Sequence, residues 1–134
     1  MPQFNLLESP LISKLHASWL YRRGMMYARL RNNALAIADY TRVIEMAHAP
    51  SSIRAMALYN RALVHCATSC EVQAVEELQK VLEMPGATEQ VRTEARRKLV
   101  RMQRSSNRPD SRNPRDAANP EEGVREKNSP DSPM

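Results

Sequence analysis

The 134-residue chain is 42% apolar, 26% charged and 4% aromatic, enough for one domain and too short for a two-lobed enzyme. Its three glycines, Gly24, Gly86 and Gly123, stand apart, which excludes the glycine-rich loops that cradle nucleotide phosphates. The formal charge of +5 is uneven: residues 105–134 hold five basic and six acidic groups, a net −1, which leaves +6 on residues 1–104. A basic body suits acidic peptides, nucleic acid or anionic lipid as partners, and it also keeps a domain soluble.

The N-terminal run MPQFNLLESPL has no early Lys or Arg and is broken by Glu8 and Pro10. It does not read as a signal peptide, and no stretch approaches the ~20 apolar residues of a membrane span. Cys66 and Cys70 lie four apart, unlike a secreted disulfide framework, so both are expected as reduced thiols in a cytoplasmic protein.

Residues 1–8 are expected to be a flexible lead-in. Ser9-Pro10 starts the first helix, with a side-chain acceptor at the N-cap and Pro at the first helical position; it should run to about Arg31. Asn32-Asn33 turns the chain and caps a second helix ending near Ala47. His48-Ala49-Pro50 breaks it. Ser51 or Ser52 caps a third helix to about Ala67, Thr68-Ser69-Cys70 turns, and a fourth runs to Met84. Pro85-Gly86 stops the chain sharply. Thr88 caps a fifth helix, with Glu89 in its first turn where the helix dipole favours an anion, and this helix fades near Arg104. No run alternates with period two for long enough to argue a strand. Residues 9–104 therefore form the helical domain. Residues 105–134 hold five prolines and no aromatic residue, cannot bury enough apolar surface to offset their ordering entropy, and read as a disordered tail. Ser129-Pro130 and Ser132-Pro133 could accept phosphate there; an unmodified, solvated tail is the plainer reading.

The chain repeats at an offset of 38. Leu20, Gly24, Tyr27, Ala36, Tyr40 and Val43 fall on Leu58, Ala62, His65, Ala74, Leu78 and Val81. Tyr21 falls on Tyr59, Arg23 on Arg61, and Ile44-Glu45-Met46 on Leu82-Glu83-Met84. Small residues at Gly24 and Ala36, and again at Ala62 and Ala74, let two antiparallel helices approach closely. Larger apolar groups three and four positions away fill the seam. Each hairpin leaves an apolar face that needs a stacked neighbour.

This pattern resembles the tetratricopeptide repeat over residues 17–104. That family places a large residue, a small one four later and an aromatic three after that. An alanine then opens the second helix, followed by an aromatic and a small or β-branched group. Leu20-Gly24-Tyr27-Ala36-Tyr40-Val43 fits closely; in the second copy His65 and Leu78 stand in for the aromatics. Val91 and Ala95 occupy matching places at an offset of 33 from Leu58 and Ala62, as a capping half-repeat. The fold expected is an all-α array of antiparallel helix hairpins. The spacing of 38 against the family's 34 puts extra residues near His48–Arg54. On the fifth helix Val91, Ala95, Leu99 and Met102 share one face and Arg97, Arg101 and Arg104 lie opposite, as a terminal helix requires.

Chemical constellations are sparse. His65, Cys66 and Cys70 are too few for a structural zinc, which takes four ligands; a core or groove histidine and two small buried thiols are the simpler reading. No serine elbow, HExxH or positioned Cys–His pair occurs, and the carboxylates, such as Glu76-Glu77 and Glu83, are expected mostly on outer helix faces. No enzyme activity, metal or cofactor is expected, and Trp19 is expected to pack inside the first repeat. The resemblance implies a groove lined by the first helix of each hairpin: Tyr21, Arg22, Met25 and Arg29, then Tyr59, Asn60, Leu63 and Cys66, then Arg92 and Arg96. Tyr and Arg carry binding energy at interfaces, and arginine forks match carboxylates. The expected function is a protein-interaction adaptor that takes a peptide or partner protein, acidic by charge. Of the five places of the family's carboxylate clamp only Asn60 matches; the others are Tyr21, Met25, Glu89 and Thr93, so that mode is not expected. Nucleic acid ranks second, on Arg92, Arg96, Arg97, Lys98, Arg101 and Arg104, although few exposed aromatics are at hand for base stacking. A membrane partner is not expected. Self-association through Leu6, Leu7, Leu11 and Leu15, giving a homodimer, is the third reading.

Overall fold

The computed structural model describes residues 9–108. The flexible lead-in at 1–8 and most of the expected tail, with its Ser-Pro pairs, lie outside the described residues. Five helices follow in order: α1 (Pro10–Arg29), α2 (Asn33–Glu45), α3 (Ser51–Ala67), α4 (Glu71–Glu83) and α5 (Glu89–Ser106). No strand occurs among the described residues. The protein is all-α and built of helix hairpins: α1 packs on α2, α3 on α4, α2 on α3, and α1 touches α3. The chain divides into two units, 1–100 and 101–134, and the repeat lies in the first. Helix α5 continues to Ser106, slightly past the expected end of the domain at Arg104.

The ends of these helices follow the capping chemistry. Ser9 stands at the α1 N-cap in extended conformation with Pro10 behind it, though its hydroxyl makes no cap bond. Asn32 Oδ1 accepts from the Leu35 amide at 3.4 Å, and Thr88 Oγ1 accepts from the Val91 amide at 3.3 Å. Helix α3 differs from expectation: Pro50, not a serine, holds the cap position, without a side-chain bond. Its fixed φ presets the turn into the helix.

The offset of 38 governs the backbone as well as the sequence. Shifting α2 by 38 gives the bounds of α4, and the C-terminal end of α1 maps onto that of α3. Helix α1 closes with Arg31 at φ 59° and α3 with Ser69 at φ 64°, again matching positions. The amides that follow reach back identically, Asn32 to the Tyr27 carbonyl and Cys70 to the His65 carbonyl, both at 2.9 Å. This is the Schellman closure, made here with side-chain-bearing residues in the left-handed place that glycine usually takes. The linkers Met46–Pro50 and Met84–Thr88 are equal in length. In them the Ala49 and Ala87 amides reach the Met46 and Met84 carbonyls at 3.3 and 3.2 Å.

That symmetry corrects the register of the third copy. Helix α5 starts 38 residues after α3, which sets Ala95 on Ala57; burial alone does not choose, since Ala57, Ala62 and Ala95 are all fully buried, and the equal linkers favour the shift of 38 over the spacing of 33. The expected face of α5 holds: Val91 and Leu99 are half-buried beside Ala95, while Arg97 is exposed.

Inside the first hairpin Leu20, Ala36, Tyr40 and Val43 are buried. Gly24 leaves the room that the Tyr40 ring fills, for a Cβ at that position would stand 2.7 Å from Tyr40 Cε1. The second hairpin buries Leu58, Ala62, Ala74, Leu78 and Val81. The smaller Leu78 there sits where Tyr40 does, and Ala62 replaces Gly24. Trp19 does not pack within its repeat as expected; it is exposed. The reason is its place on the helix, 100° round from Leu20 and away from the seam with α2.

Each hairpin is also pinned by an ion pair. Arg23 grips Asp39 with both arms, Nε to Oδ2 at 2.7 Å and Nη2 to Oδ1 at 2.8 Å. One repeat later Arg61 Nε meets Glu77 Oε1 at 2.7 Å. Glu77 was expected on an outer face; it is buried, as is Asp39. A buried carboxylate is tolerated when a guanidinium is fixed against it. Arg61 Nη1 also donates to Thr41 Oγ1 at 2.9 Å, so this residue ties the second hairpin to α2 of the first.

Candidate interaction groove

The expected groove runs along α1 and α3, whose closing turns and packing are set by the repeat. Asn60 Nδ2 donates to the Tyr21 hydroxyl at 2.7 Å, joining the two helices across the groove floor. Tyr21 is half-buried, and its ring tilts against Tyr40 at a centroid distance of 6.1 Å. Burial pushes the Tyr21 phenol above its ordinary pKa, and the Asn60 bond offsets part of that. A neutral phenol held this way is a structural cross-tie between α1 and α3.

Around that tie Met25, Tyr59, Leu63 and Cys66 are all half-buried, and Arg22 and Arg29 are exposed. Desolvation raises the Cys66 thiol, with the Lys98 cation acting the other way. Cys66 is therefore held as a thiol and not as an activated thiolate. Cys70, expected as a buried thiol, is exposed. Its Sγ lies 3.8 Å from the Thr68 carbonyl. His65 is buried, with its Nε2 3.7 Å from Glu77 Oε2. Among the described residues no group of three His, Cys, Asp or Glu side chains is arranged to hold a metal ion.

The two arginines assigned to the groove from α5 are engaged elsewhere. Arg92 Nη2 donates to the Met84 carbonyl at 2.8 Å, on the linker from α4. Arg54, its counterpart in the preceding copy, donates to the Ile44 carbonyl at 3.1 Å. Both cations thus lie at the end of the preceding helix, where the dipole is negative; the Met84 carbonyl also accepts from the Ala87 amide. Arg96 is exposed and pairs with Glu89 at 3.2 Å, as Arg97 does with Glu94 at 3.1 Å. Arg101, Arg104 and Arg108 line one depression with Ser105 in the second unit.

Asp39, Glu77 and Arg54 escaped the sequence reading. The signal was present: two arginines in register, Arg23 and Arg61, each followed at the same distance by a carboxylate. No family model, curated protein or solved structure matches this chain. No described helix is long and apolar enough to cross a membrane.

Proposed function

We propose that the chain is a non-catalytic interaction module of the tetratricopeptide-repeat kind, acting in the cytoplasm, which takes an extended acidic peptide across α1 and α3. The observation that carries this reading is the Tyr21–Asn60 cross-tie at 2.7 Å. It fixes two first helices side by side and leaves Met25, Tyr59 and Leu63 half-buried beside exposed Arg22 and Arg29. An apolar strip anchors one or two ligand side chains, and the arginine rim supplies forks for carboxylates. Preorganisation by the cross-tie lowers the ordering cost of binding. Arg92 and Arg96 take no part in the site in this form.

The test is fluorescence anisotropy of the full chain with labelled extended peptides rich in Asp and Glu and bearing one Leu or Phe. Leu63→Glu should weaken binding about tenfold or more through like-charge repulsion and loss of the anchor, with helical circular dichroism unchanged. Equal affinity in the variant removes the groove from the reading. A nucleic-acid role is the competing proposal, carried by the depression lined by Arg101, Arg104 and Arg108. It requires affinity for a single-stranded oligonucleotide that falls steeply with salt.

A further inference from the structure

Helix α1 carries a second apolar surface, separate from the groove strip. Leu11, Leu15, Trp19, Met26 and Leu30 are each between 50% and 70% exposed. At 100° per residue they form one stripe on the side of α1 turned away from Leu20 and Gly24. The repeat says what such a stripe is for. Under the shift of 38, Leu11, Leu15, Trp19 and Met26 become Ala49, Ile53, Ala57 and Val64. Ala49, Ala57 and Val64 are buried with the core of the first hairpin, and Ile53 packs on it. This is the face with which α3 docks against α2. Helix α1 presents the same face with larger apolar side chains, exposed.

The occupant is defined by charge and shape. Helix α1 holds Lys14, Arg22, Arg23 and Arg29 and no carboxylate. Arg23 is neutralised by Asp39, and Lys14, Arg22 and Arg29 are exposed along the stripe. Their counterparts on α3 are Ser52, Asn60 and Ala67, all uncharged; the cations with which α3 does reach α2, Arg54 and Arg61, fall on His16 and Arg23, so Lys14, Arg22 and Arg29 are three charges that the internal face lacks. A second copy of α1 laid on this stripe would set cation against cation. A hairpin stacked as tightly as α2 on α3 would meet the Trp19 indole where α3 has the buried Ala57. The indole itself is fixed: Arg23 lies 4.5 Å over its face and His16 stacks at 6.4 Å.

We infer that the Leu15–Trp19–Met26 stripe docks an amphipathic helix of another protein, with a small residue opposite Trp19 and carboxylates flanking its apolar face to meet Lys14, Arg22 and Arg29. Burial of five large apolar groups drives the contact, and the flanking charges choose the partner. The stripe shares Arg22 and Arg29 with the rim of the groove but none of its apolar residues; Leu63 lies on α3 and is absent from the stripe, so Leu63→Glu tests the groove alone.

Trp19 is the chain's only tryptophan, so its emission reports on this face directly. The full chain is titrated with synthetic amphipathic helices of roughly 20 residues, the length of α1, each with a leucine stripe interrupted by one alanine. One carries Glu on both flanks and the other Lys. The Glu-flanked helix should shift Trp19 emission to the blue saturably, and the Lys-flanked helix should bind about tenfold more weakly or worse. Leu15→Glu with Met26→Glu should abolish the shift without changing circular dichroism. Arg22→Glu with Lys14→Glu should reverse the preference between the two peptides. Equal response to both peptides, or none to either, overturns the inference. So does a blue shift and doubled mass on concentrating the chain alone, which assigns the face to a second copy. A shift produced by equimolar phosphatidylserine–phosphatidylcholine vesicles and by neither peptide assigns it to a membrane. Trp19 shielded in the full chain and released on removing residues 109–134 assigns it to the chain's own acidic segment.

Discussion

The two hairpins share one backbone and differ in what fills it. The first sets Gly24 beneath Tyr40, and the second sets Ala62 beneath Leu78, and all four are buried. Ion pairing follows the same logic: Arg23–Asp39 in one and Arg61–Glu77 in the other. The longer glutamate reaches a guanidinium that also serves Thr41, whereas Asp39 takes both arms of an arginine that lies over Trp19. The comparison teaches that the repeat fixes pairs of positions, not residues. A large partner is matched by a smaller one, and a cation by a carboxylate of whichever length fits.

The sharpest way to break the comparison is to exchange the residues that differ most, Trp19 and Ala57. Ala57→Trp forces an indole into a fully buried alanine site. It should lower unfolding free energy by about 3 kcal/mol or more, at or above the upper end of overpacking costs. Trp19→Ala, at an exposed place whose main contact is Arg23, should cost about 1 kcal/mol or less. Urea denaturation of both variants checks this, and similar losses would mean that the shift of 38 does not equate the two helix faces.

A finer exchange concerns Gly24. A methyl there would stand 2.7 Å from Tyr40 Cε1 and 3.0 Å from Cδ1. Gly24→Ala should therefore cost about 1–2 kcal/mol net, since overpacking exceeds the ~1 kcal/mol that alanine gains in a helix. In a Tyr40→Leu background the seam becomes that of the second hairpin. The same substitution should then stabilise, by about 1 kcal/mol. The change of sign is the measurement; a loss of equal size in both backgrounds would show that Tyr40 is not what excludes the side chain.

These pairings also mark how far the sequence could be read. All five helices, and the ends of α1, α2, α3 and α4 to within about two residues, were legible because Pro10, Asn32, Pro50, Ser69 and Pro85-Gly86 act locally. The small–large seam was legible because it recurs at helical spacing. The third copy's register was not, because a large–small pair four positions apart recurs along any amphipathic helix. Val91–Ala95 mimics Leu58–Ala62 as well as Ala95 mimics Ala57, and only the linker geometry of Met46–Pro50 and Met84–Thr88 decides between them. The buried carboxylates were missed for a related reason. Glu77 follows Glu76 in the sequence, and nothing local says which of the two turns inward. In the groove, Arg92 reads as a free cation until the Met84 carbonyl appears beside it. Trp19 reads as core material in the sequence, and its α3 counterpart Ala57 is core, whereas Trp19 itself is exposed.

A last effect separates the hairpins by pH. Tyr40 is pushed up to about 12, first by burial and then by the neighbouring Tyr21 and Asp39, while Leu78 at the matching place does not titrate. In the unfolded chain the phenol ionises near 10. The folded state therefore holds its proton longer, and the stability this contributes is complete below pH ~10 and is lost as pH rises through about 12. Tyr21, raised in the same direction by burial, adds to the slope and is common to both proteins compared. The Gly24→Ala, Tyr40→Leu protein should thus lose less thermal stability than the parent between about pH 9 and 12, the lysines and arginines being the same in each. Melts followed by circular dichroism, with tyrosinate absorbance recorded on the folded proteins, give both halves of the linkage. Parallel alkaline slopes, or a Tyr40 that ionises with the exposed phenols, would mean that the first hairpin opens at its seam before its core is challenged. The cross-tie from Tyr21 to Asn60 would then be the element holding α1 in place.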